Sequence, residues 1–257
     1  MEKTIIKEKM KPELKKPVLI EGLPGLGMVG RIATRYLIRQ LKATKLADLY
    51  SPHLPYYVLV NKKGSVRLLR EEFYFWKNET GENDLILLTG DQQAQTIEGQ
   101  YEMASCILDF AEKYNVKMAV TIGGYRKEVE ETPKVVAVST NPKLLKRALQ
   151  GDAIASPAGN PIVGTAGLLL GLARFRNIDA LCLLAETCGY LRDPRAAKSV
   201  LSVLQKILHL KVNLSQLEGQ IEKSDEIVDK MREIEERREA YVQKMRQMEE
   251  GRITYIS

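Results

Sequence analysis

The sequence has few of the residues that most often carry nucleophilic or metal-dependent catalysis. Its 257 residues include three cysteines and two histidines. It contains no G-x-S-x-G, H-E-x-x-H or C-x-x-C motif, so neither nucleophilic nor metal chemistry has a recognisable anchor. Cys182 lies in a predicted strand and Cys106 on the apolar side of a predicted helix, positions that favour core filling over catalysis. We therefore expect a protein that is not an enzyme and that has no metal site and no cofactor.

Other absences bear on location and partners. Three cysteines in a chain of this length favour a reducing compartment without disulfides. Residues 1–16 are too charged for a signal peptide, and the longest apolar stretch, around residues 162–173, is too short to cross a bilayer. The net charge of +6 is mixed along the chain, without a Lys/Arg block that carries interleaved aromatics. We expect a soluble, cytoplasmic protein that binds neither nucleic acid nor membrane.

A glycine-rich stretch opens the predicted fold. The apolar residues 18–20 predict a buried strand, which is followed by Gly22, Gly25, Gly27 and Gly30 and then by an amphipathic helical pattern. The proline before Gly25 favours a type II turn in which Gly25 takes a positive φ. Gly27 and Gly30 would let the new helix pack close to the sheet. The stretch therefore predicts the strand–loop–helix start of an α/β domain.

The last three glycines also fit the dinucleotide-binding spacing G-x-G-x-x-G. That fingerprint needs an acidic residue about twenty positions further on, at the end of the second strand. The nearby candidate, Asp48, lies within an apolar run instead of ending one. A packing role for the glycines and a nucleotide-binding role both stay open, and the packing role is favoured.

Predicted strands and helices alternate through the first four fifths of the chain. Buried strands at residues 85–88, 118–122 and 181–184 alternate with amphipathic helices, the order that a parallel sheet with crossover helices produces. Short segments between residues 56 and 76 are separated by turn residues and predict antiparallel strands that are inserted into the sheet or extend it. The predicted fold class is α/β, with a mostly parallel sheet flanked by helices.

Loops rich in glycine or polar residues follow three of the predicted strands, at residues 22–27, 90–93 and 123–125. The carboxyl ends of parallel strands meet at one edge of a sheet, and ligands of open α/β sheets bind at that edge. A polar cluster of Asp91, Gln92, Tyr125 and Arg126 is predicted there. Turns and subunit contacts are the favoured alternative. The residues of this structural loop or possible ligand site are Gly22, Gly25, Gly27, Gly30, Asp91, Gly123, Gly124 and Tyr125.

The last fifth of the sequence differs in composition. Residues 210–250 are strongly charged, lack proline and include one glycine, Gly219. Apolar residues recur at spacings of three and four, and pairs such as Glu226 and Lys230 support a solvated helix. About forty helical residues would span roughly 60 Å, more than the width of a domain of this size. We predict a coiled-coil-like helix that packs on a partner or self-associates weakly, with folding onto its own domain as the alternative.

The chain ends in an apolar tail that contains a tyrosine. Its residues after Gly251 include Ile253, Thr254, Tyr255, Ile256 and Ser257. Exposed apolar groups and a terminal carboxylate are recognisable handles for a binding partner. We therefore predict three regions: an α/β domain over residues 1–209, the charged helix over residues 210–250, and a docking tail over residues 251–257.

Three motifs together resemble the proteasome assembly chaperone family, in particular its archaeal homologues. They lie at residues 22–30, 123–125 and 157–167, and the resemblance covers roughly residues 18–208. It implies an α/β fold similar to that of nucleoside phosphorylases, without their catalytic role. It also implies homo-oligomerisation, with a paralogous subunit as an alternative partner. The implied function is non-enzymatic and ATP-independent: proteins similar to this one bind proteasome α subunits, as assembly chaperones or as activators.

The resemblance also bears on the tail. Proteasome activators commonly end in a hydrophobic residue, a penultimate tyrosine and one last residue, and their terminal carboxylate pairs with a lysine of the α subunits. Here Tyr255 lies one position too early, although Ile253 and Ile256 supply apolar character. The resemblance therefore implies that the tail docks on α subunits, while the shifted tyrosine weighs against activator-like gate opening.

Two further hypotheses stay open beside the proteasome-binding one. The first is a nucleotide-binding enzyme or sensor that uses Gly25, Gly27 and Gly30 together with Asp91. The second is a scaffold whose long helix only drives self-assembly.

Overall fold

The structure is a computed structural model that describes residues 1–79, 81, 83–127, 132–230, 234 and 237–238. The chain forms two compact units, Met1–Ser215 and Gln216–Ser257. Within the described residues, no helix is both long enough and apolar enough to pass through a bilayer.

The first unit alternates strands and helices. Its strands are β1 (Ile5–Glu8), β2 (Val18–Glu21), β3 (Thr44–Tyr50), β4 (Val58–Val60), β5 (Val66–Leu68), β6 (Glu71–Trp76), β7 (Leu85–Gly90), β8 (Met118–Arg126), β9 (Val135–Ser139), β10 (Ile154–Ala155) and β11 (Asp179–Thr187). Its helices are α1 (Val29–Gln40), α2 (Ile97–Lys113), α3 (Pro142–Gln150), α4 (Thr165–Ala173) and α5 (Pro194–Leu208). Short 3₁₀ turns lie at Leu26–Met28 and Arg174–Arg176.

Among the described residues, nine strands form one sheet in the order β1-β3-β6-β7-β2-β8-β11-β9-β10. The central strands β7, β2, β8 and β11 are parallel. On one side β1, β3 and β6 pair antiparallel, and on the other β9 runs antiparallel to β11. Strands β3, β6 and β7 follow one another without an intervening helix, which makes antiparallel pairing the accessible arrangement. The sheet is therefore mixed, and the prediction of a mostly parallel sheet is correct for its centre. The antiparallel strands predicted between residues 56 and 76 are confirmed for β6, whereas β4 and β5 form a separate two-stranded sheet and do not join the main one.

Helices cover both faces of the central strands. Helices α1, α3 and α5 pack on one face, and α2 and α4 pack on the other. The main hydrophobic core lies between the sheet and the second pair, where Leu19 and Ile86 from the strands meet Met103, Ile107 and Leu169 from the helices. The mixed α/β fold with flanking helices, as predicted, therefore buries the central strands on both sides.

Side-chain caps fix the starts of three helices. Thr96 accepts a hydrogen bond from the amide of Gly99 at the start of α2. Asn141 and Asp193 cap α3 and α5 in the same way, and each is followed by a proline at the first helical position. Such caps typically contribute about 1 kcal/mol each, and proline there loses no intrahelical hydrogen bond.

The second unit is helical over residues 218–230 and at the described positions 234, 237 and 238. The predicted coiled-coil-like helix over residues 210–250 does not begin where expected: residues 210–214 form no helix, Ser215–Leu217 form a 3₁₀ turn, and the helix starts at residue 218. Its positions between residues 231 and 250, apart from 234, 237 and 238, and the tail at residues 251–257 lie outside the described residues. The division into three regions, the full length of the C-terminal helix and the likeness to nucleoside phosphorylases all stay predictions.

Candidate functional site

The predicted site lies where the chain leaves the parallel strands toward opposite faces of the sheet. After β2 the chain enters α1 on one face, and after the adjacent β7 it enters α2 on the other. The loops at residues 22–28 and 91–96 therefore diverge from neighbouring strands. In open α/β sheets such a divergence forms the crevice that takes ligands. The predicted loops at residues 22–27 and 90–93 lie at the ends of β2 and β7, but residues 123–125 pair with β11 inside β8, so the prediction of a loop there is wrong.

Gly22 and Gly30 allow backbones to approach closely around the first loop. A Cβ on Gly22 would lie 2.2 Å from both the carbonyl oxygen of Gly30 and the Oγ1 of Thr34. A Cβ on Gly30 would lie 2.3 Å from the carbonyl oxygen of Ile122 on β8. Both distances are far shorter than a carbon–oxygen contact allows, so the packing interpretation accounts for these two glycines.

Gly124 has a similar role on β8. A Cβ there would lie 2.7 Å from the carbonyl oxygen of Leu26 and 2.8 Å from the Cγ2 of Thr187. Gly123 is less crowded, because a Cβ there would lie 3.0 Å from its nearest neighbour, the side chain of Leu184. The strand end thus leaves room for the loop between β2 and α1.

The turn in the first loop is not the predicted one. Gly25 is extended, with φ −160°, and the left-handed residues are Gly27 at φ 60° and Met28 at φ 54°. The amide of Gly27 donates to the carbonyl of Gly189 (3.3 Å), and the amide of Asp193 donates to the carbonyl of Gly27 (2.8 Å). These bonds tie the loop to the segment between β11 and α5. The prediction of a type II turn at Gly25 is therefore wrong, because tertiary contacts place the turn later.

Gln93 closes the crevice between the two diverging loops. Its Nε2 donates to the carbonyl of Pro24 (2.7 Å). Its Oε1 accepts from the backbone amide and the hydroxyl of Thr165, at 3.0 and 3.1 Å, at the start of α4. One side chain thus joins three segments, and a pyrophosphate in this crevice would have to displace it. The geometry therefore does not favour the dinucleotide-binding alternative.

Asp91, the acidic residue of the predicted site, is paired with arginine side chains. Nη1 and Nη2 of Arg67 donate to Oδ2 and Oδ1 at 2.6 and 3.0 Å, and the backbone amide of Arg70 donates to Oδ2 (3.2 Å). Arg31 lies further away, at 4.0 Å. Burial opposes ionisation of Asp91, but the bonds from Arg67 and Arg70 outweigh it and hold its pKa below the ordinary value. Asp91 is an ionised structural anchor for the β5 strand.

Tyr125 and Arg126 belong to a different group of contacts. The hydroxyl of Tyr125 donates to Oε1 of Glu186 (2.8 Å), and burial together with that carboxylate raises the pKa of the phenol. The guanidinium of Arg126 lies 4.3 Å from the ring centroid of Tyr190. The prediction of one polar cluster is therefore wrong: Asp91 binds Arg67 on one side of β2, and Tyr125 binds Glu186 on the other.

Two buried carboxyl groups lie beneath the first loop, and no sequence pattern predicted them. Oε1 of Glu21 accepts from the amide of Leu23 (3.0 Å). Among the described residues, the other oxygen of Glu21 and both oxygens of Glu71 have no hydrogen-bond partner. Burial raises the pKa of Glu21 to about 7, and burial together with the charge of Glu21 raises that of Glu71 well above its ordinary value. The two groups therefore favour their protonated forms.

Cys106 and Cys182 are poor nucleophiles, as expected. Burial raises the pKa of the Cys182 thiol to about 12 and that of Cys106 to about 11. Within the part of the chain that the structure describes, no group of three or more His, Cys, Asp or Glu side chains is arranged to hold a metal ion. The expectation of a chain without enzyme activity, metal or cofactor stays a prediction.

A cavity of about 790 Å³ lies away from the crevice, beside the start of β9 and one side of α5. Lysines dominate its charged lining, with Lys127, Lys134 and Lys206 facing Glu186 and Asp152. Lys127 already donates to Oε1 of Glu186 (2.6 Å). The cavity therefore brings together ion pairs and no acid–base or nucleophilic pair.

The family of the chain follows from comparison with known proteins. The model of the PAC2 family matches residues 19–232. Two uncharacterised proteins of Methanocaldococcus jannaschii, MJ1210 and MJ0106, are 35% and 28% identical to this chain. The matches cover 87% and 90% of this chain, and 86% and 90% of those proteins.

Comparison with solved structures also finds archaeal proteins that are similar to this chain. PbaB of Pyrococcus furiosus, an archaeal proteasome activator, is 38% identical and superposes with a TM-score of 0.86 over 90% of this chain and 100% of its own. PbaA of the same organism, an archaeal homologue of proteasome-assembly chaperone, is 26% identical with a TM-score of 0.73 over 99% of this chain and 100% of its own. The chain therefore belongs to the PAC2 family and is a homologue of the archaeal relatives of the proteasome assembly chaperones.

Proposed function

We propose that the protein is a non-enzymatic, ATP-independent protein that binds proteasome α subunits, as an assembly chaperone or as an activator. The observation that carries the proposal is the likeness to PbaB, an archaeal proteasome activator, with a TM-score of 0.86. The likeness to PbaA, a homologue of proteasome-assembly chaperone, supports the same partner through a different role.

The geometry of the crevice supports a function without a small ligand. Gln93 bridges the two diverging loops, and Asp91 is neutralised by Arg67. The groups that would bind a phosphate or a ribose in a nucleotide-dependent enzyme are thus already paired within the chain. A binding protein needs no reactive crevice, because its free energy of binding comes from contacts on its outer surface.

The C-terminal region supplies the docking element of the proposal. A long C-terminal helix would carry the tail, residues 253–257, to the α subunits, where apolar contact and the terminal carboxylate give the affinity. Self-association of the α/β domain would present several tails at once. Because linked tails bind with a high effective concentration, each tail can be weak on its own. A proteasome partner and the low cysteine content also support a cytoplasmic location.

A capture experiment tests the proposal. Archaeal core particles and isolated α subunits are immobilised and incubated with the full-length chain or with a truncation that lacks residues 253–257. A Ser257→Thr variant, which keeps the length and the terminal carboxylate, is the matched control. We expect the full-length chain and the control to be captured equally, and the truncation at least tenfold more weakly.

Peptide hydrolysis in the same samples separates the two roles. Faster hydrolysis with the full-length chain means an activator, and unchanged hydrolysis with tail-dependent capture means an assembly factor. Equal capture of the truncation would remove the tail from the proposal. If neither bait captured the full-length chain, the proposed function would be wrong.

A further inference from the structure

Strands β4 and β5 form a hairpin that is separate from the main sheet. Its turn is specified locally. The side-chain Oδ1 of Asn61 accepts from the amides of Lys63 and Ser65, at 2.9 and 3.1 Å, and Gly64 takes the left-handed conformation with φ 77°. The hairpin is thus a defined element of the fold.

The register of the hairpin puts all its exposed aliphatic residues on one face. Val58 pairs with Leu68 and Val60 pairs with Val66, so these four side chains point to the same side. We name this set, Val58, Val60, Val66 and Leu68, the apolar hairpin face. The remaining pair, Leu59 with Arg67, points to the other side.

The hairpin turns its polar face toward the domain and its apolar face toward solvent, the reverse of an ordinary antiparallel sheet. Arg67 points toward the domain, where it holds Asp91 with two hydrogen bonds. The apolar hairpin face points outward, and its residues are 46% (Val58) to 69% (Val60) exposed. An antiparallel sheet normally packs its apolar face on the core and solvates its polar face. Because the ion pair fixes the opposite orientation, packing within the unit does not account for the apolar face.

The exposed surface approaches the size of a protein interface. Tyr56, fully exposed, lies two positions before Val58 and extends the exposed surface at the base of the hairpin. Together with the apolar hairpin face it leaves on the order of 600 Å² open, at the upper end of the roughly 300–600 Å² of the largest patch on a typical monomer and about three quarters of the roughly 800 Å² that each partner of a standard interface buries.

We propose that the apolar hairpin face is a contact between two copies of this chain. The face carries no charge, so two identical faces are complementary across a two-fold axis. A two-stranded hairpin is marginal in water by itself, and a second hairpin stacked on it supplies the missing layer. In an antiparallel stack the basic tips at Lys62 and Lys63 lie at opposite ends and do not repel each other. The inference rests on the self-association that the proposed function includes, and it names the surface.

Sedimentation equilibrium of the full-length chain tests this contact. The test variant is Val60→Asp with Leu68→Asp, two positions that are not directly opposite each other in the register. The matched control is Val163→Asp with Phe175→Asp, both 86% exposed in the native chain. We expect wild type and control to share one assembly mass, and the test variant to need at least tenfold higher concentration to reach it.

A disulfide cross-linking experiment tests the same contact without relying on the folding of the aspartate variants. In a Cys188→Ser background, which removes the exposed native thiol, oxidation of a Val66→Cys variant gives a covalent dimer, and oxidation of a Phe175→Cys variant does not. An unchanged mass of the aspartate variant, equal dissociation of the control, or a wild type that is monomeric at tens of micromolar would overturn the inference.

Capture by core particles distinguishes this inference from the proposed function. A test variant that keeps its wild-type mass but is no longer captured would mean that the face takes a proteasome subunit, which overturns the inference and leaves the proposed function standing. A wild type that assembles through the hairpin but is not captured would overturn the proposed function and leave the inference standing.

Discussion

Two regions of the chain differ in whether their side chains have partners. The first is the crevice at the carboxyl ends of β2 and β7, and the second is the hairpin of β4 and β5. In the crevice, the position where open α/β sheets bind ligands, Gln93 and Asp91 are bound by the chain's own groups. On the hairpin, four aliphatic side chains are left in solvent. The ion pair between Arg67 and Asp91 occupies the acidic group of the crevice and also fixes the orientation of the hairpin. The comparison teaches that the crevice leaves little space for a small molecule, whereas the hairpin leaves an apolar surface exposed.

The largest effect is expected from a side chain added where α1 packs on β8. Gly30→Ala puts a Cβ 2.3 Å from a backbone oxygen of β8, so α1 must move away from the sheet. We expect a loss of about 2–3 kcal/mol in the free energy of unfolding, measured with urea. Gly25→Ala is the matched control, because its Cβ would meet nothing closer than 3.8 Å and its backbone is extended. A cost at Gly25 equal to that at Gly30 would contradict the packing interpretation and favour a ligand loop.

The next effect is expected from the side chain that closes the crevice. Gln93→Ala removes three hydrogen bonds and leaves the amide of Thr165 without its acceptor. We expect a loss of about 1–2 kcal/mol in the free energy of unfolding. Gln92→Ala, at the neighbouring half-buried position, should change it by less than about 0.5 kcal/mol. Equal effects at the two positions would mean that Gln93 does not hold the loops together.

A smaller effect of opposite sign is expected at Glu71. Its pKa and that of Glu21 are raised, so their contribution to stability is fully present below the unfolded pKa near 4.5 and is lost as pH rises toward about 7 and beyond. Glu71→Gln removes one of the two buried acids, and its amide can donate to Glu21. We expect a gain of about 1 kcal/mol at pH 8 and a weaker pH dependence between pH 5 and 8.

The adjacent residue supplies the control for this prediction. Glu72 points to the other side of β6, where Lys45 and Arg70 bind it and Arg35 lies 3.7 Å away. Burial raises the pKa of Glu72, but those cations outweigh it and lower the pKa, so its stabilisation is present above the unfolded pKa and is lost on acidification. Glu72→Gln should therefore destabilise at pH 8. The same sign for both substitutions would contradict the assigned environments.

The smallest effect on stability is expected on the hairpin. Val60→Asp with Leu68→Asp changes side chains that are already exposed, so the free energy of unfolding of the separated chain should stay within about 0.5 kcal/mol of wild type. Denaturant unfolding at a concentration below the assembly range measures it. A loss comparable to that of Gly30→Ala would mean that the face packs within the unit.

The order of the fold could be read from local sequence patterns, and its long-range contacts could not. Glycines before an amphipathic helix predicted the β2–α1 unit, and caps such as Asn141 before Pro142 set the helix starts. The predicted turn at Gly25 was wrong, because the bonds that place the turn come from Asp193, far along the chain. Rules based on local sequence consider residues within a few positions of each other, whereas these contacts join residues that are far apart in the sequence.

The site was harder to predict for the same reason. Nothing local distinguishes Glu71 from Glu72, yet strand alternation sends one into an uncharged interior and the other among cations. Asp91 was expected in a ligand cluster, and Arg67, which binds it, belongs to a strand that looks only like a turn-flanked edge segment. Sequence patterns therefore located the edge of the sheet and left open which groups meet there.

The most direct test of the central claim is binding of the full-length chain to archaeal core particles, measured by calorimetry with and without saturating ATP. The account predicts the same dissociation constant in both titrations and no heat when ATP or NAD is added to the chain alone. Nucleotide binding by the chain alone, or a tenfold change of its affinity for core particles when ATP is present, would contradict it.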